Sequence, residues 1–350
     1  MRDSHGMQHD DIQHDDVQFH NVRALQRVRP HEGLRLLRVP EAVRSGLNTG
    51  AQTRMSHPAG TEIRFVPEET VRITLSSEER NSLVRPFWGD FQASGEEFTL
   101  GPEPKTVELS LPESLSDLDP VATGEMRYAP EVCRLVFPGD HRGGHIYYHD
   151  VEGACRPPTA DEVPSLRYLA YGTSITEGEA PSAEMLTYVN QTARRLGADP
   201  INLGSCGTAY CDPAMADHIA ARDDWDVATL SLSVNMVGRF SPDEFRERAA
   251  DMVETVAAAN PTKPVACITL FPHVREYQRD HEEATLSETF RDHLRDVVAD
   301  CGYDNVHLVE GPDLLPTASG MTTDLVHPGD DAMIRIGERL ARELESLMDD

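Results

Sequence analysis

Lysine is nearly absent from this chain. Among 350 residues only Lys105 and Lys263 carry it, so nearly all of the 32 basic residues are arginine. Long apolar runs are missing too. No stretch approaches the roughly 18 consecutive apolar residues of a membrane span, and the opening Met-Arg-Asp-Ser-His-Gly does not read as a signal peptide. The six cysteines (Cys133, Cys155, Cys206, Cys211, Cys267, Cys301) form no CxxC pair. Zinc spacing is therefore lacking, and a disulfide framework is not expected at this length. The cysteines read as small apolar residues.

What is abundant is acid. Sixty acidic residues against 32 basic ones give a net charge of −28. That field repels phosphate backbones and anionic membranes, so neither nucleic acid nor a membrane is an expected partner. A cytoplasmic location is expected. The acidic residues are spread along the chain. Together with the loss of lysine they read as adaptation to molar salt, where the Debye length shrinks to about 3 Å. His5, His9, His14 and His20 stand among Asp and Gln without apolar partners. Residues 1–18 therefore read as a disordered tail rather than a metal site.

Hydrophobic residues make up 39% of the chain, enough for two cores of ordinary size. Between about 61 and 153 short period-two runs recur: Glu62–Val66, Val71–Leu75, Val107–Leu111, Cys133–Phe137 and His145–His149. Gly and Pro punctuate the gaps, and no helical stretch intervenes. The pattern predicts a β-sandwich over 19–156, with 20–60 as an irregular lead-in. Pro157-Pro158 through Pro164 marks a linker. After it, apolar β runs alternate with helical segments. The strands are Leu166–Tyr171, Pro200–Leu203, Val227–Leu232, Val265–Leu270 and Val306–Val309. The helices lie near 183–196, 213–221, 242–259, 283–300 and 330–348. Residues 165–350 thus predict a three-layer α/β/α domain on a five-stranded parallel sheet, flavodoxin-like in kind. Such sheets bind ligands at the carboxyl ends of their strands.

Four features sit at those ends. Strand one runs into Gly172-Thr173-Ser174-Ile175-Thr176, where Ser174 is placed as an exposed nucleophile or a helix cap. Strand two runs into Asn202-Leu203-Gly204-Ser205-Cys206-Gly207, an oxyanion turn or, less well supported without a basic neighbour, a phosphate cradle. Strand three runs into Ser233-Val234-Asn235-Met236, where Asn235 is an amide donor or a turn residue. Asp324-Leu325-Val326-His327 precedes the last helix, as an oriented imidazole or a helix-start cluster. Acyl transfer uses such a set. A serine hydroxyl needs a base, the base needs a carboxylate to hold its tautomer, and the oxyanion needs donors already in place. His273, after strand four, either lines the pocket or sits on a surface loop.

The order of these blocks resembles the SGNH (GDSL-type) hydrolases, of the kind with an N-terminal β-sandwich. Thr173 stands where many members have Asp, Ser233 replaces the usual Gly, and Met236 the usual Asp. The DxxH block matches without departure. The resemblance implies Ser174, Asp324 and His327 as catalytic residues. It also implies Ser174, Gly207 (rather than Gly204) and Asn235 as oxyanion-hole donors. Neither a metal nor an organic cofactor is required. The expected substrate is a short acyl ester, acetyl first, of a sugar or similar polar alcohol. Two observations suggest this: only 6% of residues are aromatic, and the strand-end loops are polar (Glu177, Glu179, Ser182, Glu184, Thr322, Thr323). Trp88, Tyr147 or Tyr148 would offer a sugar a wall on the sandwich. A catalytically inert carbohydrate- or small-ligand-binding α/β protein is the alternative.

Overall fold

The computed structural model describes residues 11–349 apart from 80, 125, 140–143, 280, 282 and 283. His5 and His9 lie outside the described residues. The N-terminal half is built from two antiparallel sheets. The first runs in the order β1 (Ile12–His14), β2 (Val17–His20), β5 (Glu62–Pro67), β11 (Cys133–Val136), β7 (Ser82–Trp88), β8 (Phe91–Gln92), with β13 (Cys155–Arg156) beside β5 and β9 (Phe98–Leu100) beside β7. The second runs β10 (Lys105–Leu109), β6 (Val71–Ser77), β12 (Ile146–Glu152), β4 (Leu34–Leu37), β3 (Ala24–Arg27). Their inner faces share one core, with Phe19, Ile63, Phe65, Ile73, Leu75, Trp88, Leu135 and Tyr148 buried together.

The expected disordered tail does not survive over 11–18. Val17 and Phe19 alternate into the sandwich core, and the Asp11 charge is met by Arg167 at 3.1 Å, a pairing that local composition hides. The lead-in over 20–60 is also more regular than the sequence suggests. It holds β3, β4 and two short helices, Glu41–Arg44 and Thr49–Arg54. Val39, Leu47, Ala51 and Met55 from this stretch pack into the core of the other half.

The C-terminal half carries a parallel sheet in the order β15 (Asp199–Gly204), β14 (Arg167–Gly172), β16 (Val227–Ser231), β17 (Val265–Ile268), β18 (Val306–Val309). In chain order that is 2-1-3-4-5, the flavodoxin-like arrangement, whose crevice opens between the first and third strands. Buried apolar side chains cover both faces. The helix Pro242–Ala259 starts with a capping box in which Ser241 and Glu244 satisfy each other's backbone N–H. Among the described residues no helix is long and apolar enough to cross a membrane.

The β15 edge is where the two halves meet. In a strand, alternate residues turn their carbonyls to the same side. Odd-numbered residues of β15 face β14, whereas Pro200, Asn202 and Gly204 face outward. Side chains of the N-terminal half fill that outer edge. His20 Nε2 donates to the Pro200 carbonyl at 2.7 Å, Asn21 to that of Asn202 at 3.1 Å, and Arg38 to that of Gly204 at 2.8 Å. A proline costs nothing here, because an edge residue has no partner for the N–H it lacks.

Candidate active site

β14 ends at Gly172, and Ser174 opens the single-turn helix Ser174–Glu177. Ser174 is therefore not the helix cap. Thr173 holds that place and its side chain caps nothing. The helix presses on the neighbouring strand: a Cβ on Gly204 would lie 2.1 Å from the Glu177 nitrogen, so this glycine is required for close approach. The loop after β18 brings His327 to Ser174, with Nε2 at 2.9 Å from Oγ. His327 Nδ1 lies 2.7 Å from Asp324 Oδ2. The other oxygen of Asp324 accepts from the Thr322 hydroxyl and from the N–H groups of Val326 and His327, at 2.7–2.9 Å. Burial opposes ionisation of Asp324. The contacts with His327, Val326 and Thr322 overcome it and hold the carboxyl well below the usual range.

The turn after β15 distinguishes its two glycines. The Gly204 N–H donates to Asn202 Oδ1 at 2.8 Å. Gly207 takes a left-handed φ of +69°, and its N–H meets no acceptor among the described residues. The same holds for the Ser174 N–H. After β16, Asn235 Oδ1 accepts from the Ala209 N–H at 3.2 Å, which orients the amide and leaves Nδ2 as an unengaged donor. These three donors come from adjacent strands β15, β14 and β16. A phosphate cradle fits the turn poorly: the Cys206 N–H is already taken by Glu177, a buried carboxylate that would repel a phosphate.

The structure brings Ser174, His327 and Asp324 together and leaves His273 elsewhere. His273 is buried at the head of the helix Val274–Tyr277, with Nδ1 against Glu276 and Nε2 against Arg275, so neither ring nitrogen is available to a pocket. The proposed sugar wall also fails. Trp88, Tyr147 and Tyr148 are each no more than 1% exposed. Strand alternation sends Tyr148 into the sandwich core, while Tyr147 is stacked under His31. Glu177 and Glu184 are buried rather than lining an open loop.

The sequence profile of the GDSL-like lipase/acylhydrolase family matches residues 167–345, just over half of the chain. The chain belongs to this family. Its members hydrolyse carboxylic esters, and this chain is an enzyme of that class. No curated protein matches it in sequence. Solved structures share the fold over both halves. A salicylyl-acyltransferase from a tetracycline biosynthetic pathway is 16% identical with a TM-score of 0.67, over 95% of each chain. A family two carbohydrate esterase from Clostridium thermocellum, solved with cellohexaose, is 17% identical with a TM-score of 0.58, over 82% of this chain and 91% of that one. An acetyl xylan esterase from the rumen bacterium Butyrivibrio proteoclasticus is 13% identical with a TM-score of 0.57, over 96% of each.

Within this GDSL-like site two residues escaped sequence reasoning. Cys206 lies in the turn after β15, where its N–H donates to Glu177. Burial, followed by the Glu177 charge, pushes its thiol up to about 11, so it stands there as a neutral thiol rather than a rival nucleophile. Glu177 lies beneath the turn, with His57 Nδ1 at 3.1 Å from its carboxylate. Each sits in a motif as a flanking residue, and only the fold reveals the contact.

Proposed function

We propose that this chain is a serine esterase that removes short acyl groups, acetyl first, from a sugar or similar polar alcohol. The chain of hydrogen bonds from Asp324 through His327 to Ser174 carries the proposal. His327 Nε2 takes the Ser174 proton as Oγ attacks the ester carbonyl, and Asp324 holds the other nitrogen in its protonated form. The N–H groups of Ser174 and Gly207 and the Asn235 amide receive the oxyanion. The His327 proton then passes to the departing alcohol. Water, deprotonated in turn by His327, releases the acid and restores Ser174. The residues at the site account for every proton moved, and no step calls for a metal or cofactor.

The preference for a small acyl group rests on the polar surroundings and on the carbohydrate esterases among the structural neighbours. With the buried aromatics excluded, a groove of about 190 Å³ remains between the sandwich and the segment that follows the Ser174 helix. Asn81, Leu83 and Arg85 face Ser182 and Glu184 across it. Asn81 and Arg85 on one wall and Ser182 on the other offer polar groups to an alcohol partner, between apolar Leu83, Pro138 and Pro181.

A fluorophosphonate probe tests the chemistry. It is expected to label wild type once and Ser174→Ala not at all, with ester turnover lost by about 10⁶-fold in the variant. A folded Ser174→Ala protein that keeps its turnover overturns the assignment, and an unlabelled, inactive wild type favours the inert binding alternative. A series of nitrophenyl esters tests the acyl group. Each buried CH₂ contributes about 0.8 kcal/mol, so kcat/KM rising from acetate to octanoate would rule out the short-chain reading.

A further inference from the structure

The outward carbonyls of β15 do not stop being engaged where the strand ends. Arg54 Nε donates to the Cys206 carbonyl at 3.1 Å, and Asn48 Nδ2 to that of Thr208 at 2.9 Å. From Pro200 to Thr208 every second carbonyl is therefore held by a side chain of the N-terminal half. The last two donors sit at opposite ends of the helix Thr49–Arg54, which Asn48 caps. That helix is pressed against the turn: a Cβ on Gly50 would lie 2.2 Å from the Thr208 side chain.

The Cys206 carbonyl belongs to the same peptide plane as the Gly207 N–H. In a trans peptide the two groups point in opposite directions, and the plane is rigid. A donor fixed on the carbonyl thus aims the N–H on the far side and strengthens it by polarising the amide. The preceding peptide is held as well, because the Cys206 N–H donates to Glu177.

We propose that Arg54 is a positioning residue for ester hydrolysis, holding the Cys206–Gly207 peptide so that the Gly207 N–H meets the oxyanion. This rests on reading Gly207 as an oxyanion donor and gives the N-terminal sandwich a part in the chemistry. Arg54 is itself held, since Arg38 Nη2 donates to its carbonyl at 2.6 Å and Arg38 is fully buried.

Two isosteric variants separate this role from plain support of the interface. In glutamine the side-chain nitrogen occupies the place of arginine Nε, and in methionine the terminal methyl does. Both remove the charge, but only Arg54→Met removes the donor. With an acetate ester, Arg54→Met is expected to lower kcat about 10- to 100-fold with KM within twofold, a loss below that of deleting a donor outright. Arg54→Gln is expected to stay within about threefold of wild type. Equal kcat in both variants, or a loss confined to KM, would overturn the proposal. If Arg54→Met does not fold, Arg54→Gln decides alone, and a loss of kcat beyond tenfold in a folded Arg54→Gln protein overturns it. Ser174→Ala measured alongside keeps the two ideas apart. An active Ser174→Ala sinks the esterase mechanism, whereas an inactive one beside an unimpaired Arg54→Met sinks only the positioning role.

Discussion

The molecule holds two clusters in which aspartate meets histidine, and they are put to opposite uses. At the candidate site Asp324 and His327 stand near solvent, and among the described residues no arginine or lysine pairs with the carboxylate. At the seam between the halves Asp11 and Asp199 flank His20, with Arg64 paired to Asp199 and Arg167 to Asp11. The first imidazole faces a hydroxyl, which can give or take a proton. The second faces the Pro200 carbonyl, which can only accept one. Residue type is the same in both places, and what differs is the partner of the second ring nitrogen. The seam also has its ligand atoms close enough to surround a cation. Two guanidinium groups already meet both carboxylates there, so a metal would enter a site whose charge is spoken for.

Matched substitutions can break this comparison. Asp324→Asn is expected to cost about 10⁴ in kcat, since the amide no longer holds the imidazole in the tautomer that accepts the serine proton. Nitrophenyl acetate kinetics with a melting curve would show whether stability is spared. Asp199→Asn should do the reverse. It takes the charge from a bidentate partner of Arg64, and removing one member of a buried pair costs about 3–5 kcal/mol of stability, with kcat unchanged. A larger loss of kcat for Asp199→Asn than for Asp324→Asn would collapse the distinction.

Acid sharpens it further. Although burial opposes ionisation, Arg134 and Arg64 lower Glu62 to about 2, and Arg64 holds Asp199 well below its ordinary value. A carboxylate lowered on folding stabilises the protein above its unfolded pKa, and that stability is lost as pH falls through the folded value. Melting temperature is therefore expected to fall between about pH 4.5 and 2, more shallowly in Asp199→Asn. The smallest effect is expected at Ser233, which adopts φ +102° two residues before Asn235. That is a conformation glycine adopts without strain, and Ser233→Gly should raise stability by about 1 kcal/mol with activity retained. A melting temperature that drops instead would show that the serine hydroxyl, bonded to the Leu232 carbonyl, matters more than the backbone.

The parallel half was legible because its strands are apolar on both faces. The run Val265–Leu270 differs from β17 only at its end, and the helix expected near 242–259 is Pro242–Ala259. Three of the blocks were legible for the same reason, since each follows a strand that announces itself, and the Asp324–His327 block was legible from its spacing just before the last helix. The N-terminal strands β1 to β4 are three or four residues long, too short for periodicity to rise above chance. β7 carries Pro86 in its interior, which argues against a strand until the pairing with Leu135 is seen. The contacts of Arg54, Glu177 and His20 were invisible for another reason. Arg54 and His20 each meet a partner more than 150 residues away, and Glu177 meets His57 120 residues away. All three are polar, so no hydrophobic pattern marks them.

Five carbonyls engaged in sequence also have a colloidal consequence. A bare strand edge recruits strands from other chains, and soluble proteins usually blunt it with charge, bulges or closure. Here the blunting device is another part of the same chain, supplied from Asn48, Arg54 and residues before them. Expression of residues 165–350 alone would uncover the β15 edge together with the apolar surface that Val39, Leu47 and Met55 now cover. Such a fragment should come out of solution through edge-to-edge pairing. The N-terminal half thus shields the strand edge of the half that carries the reacting groups.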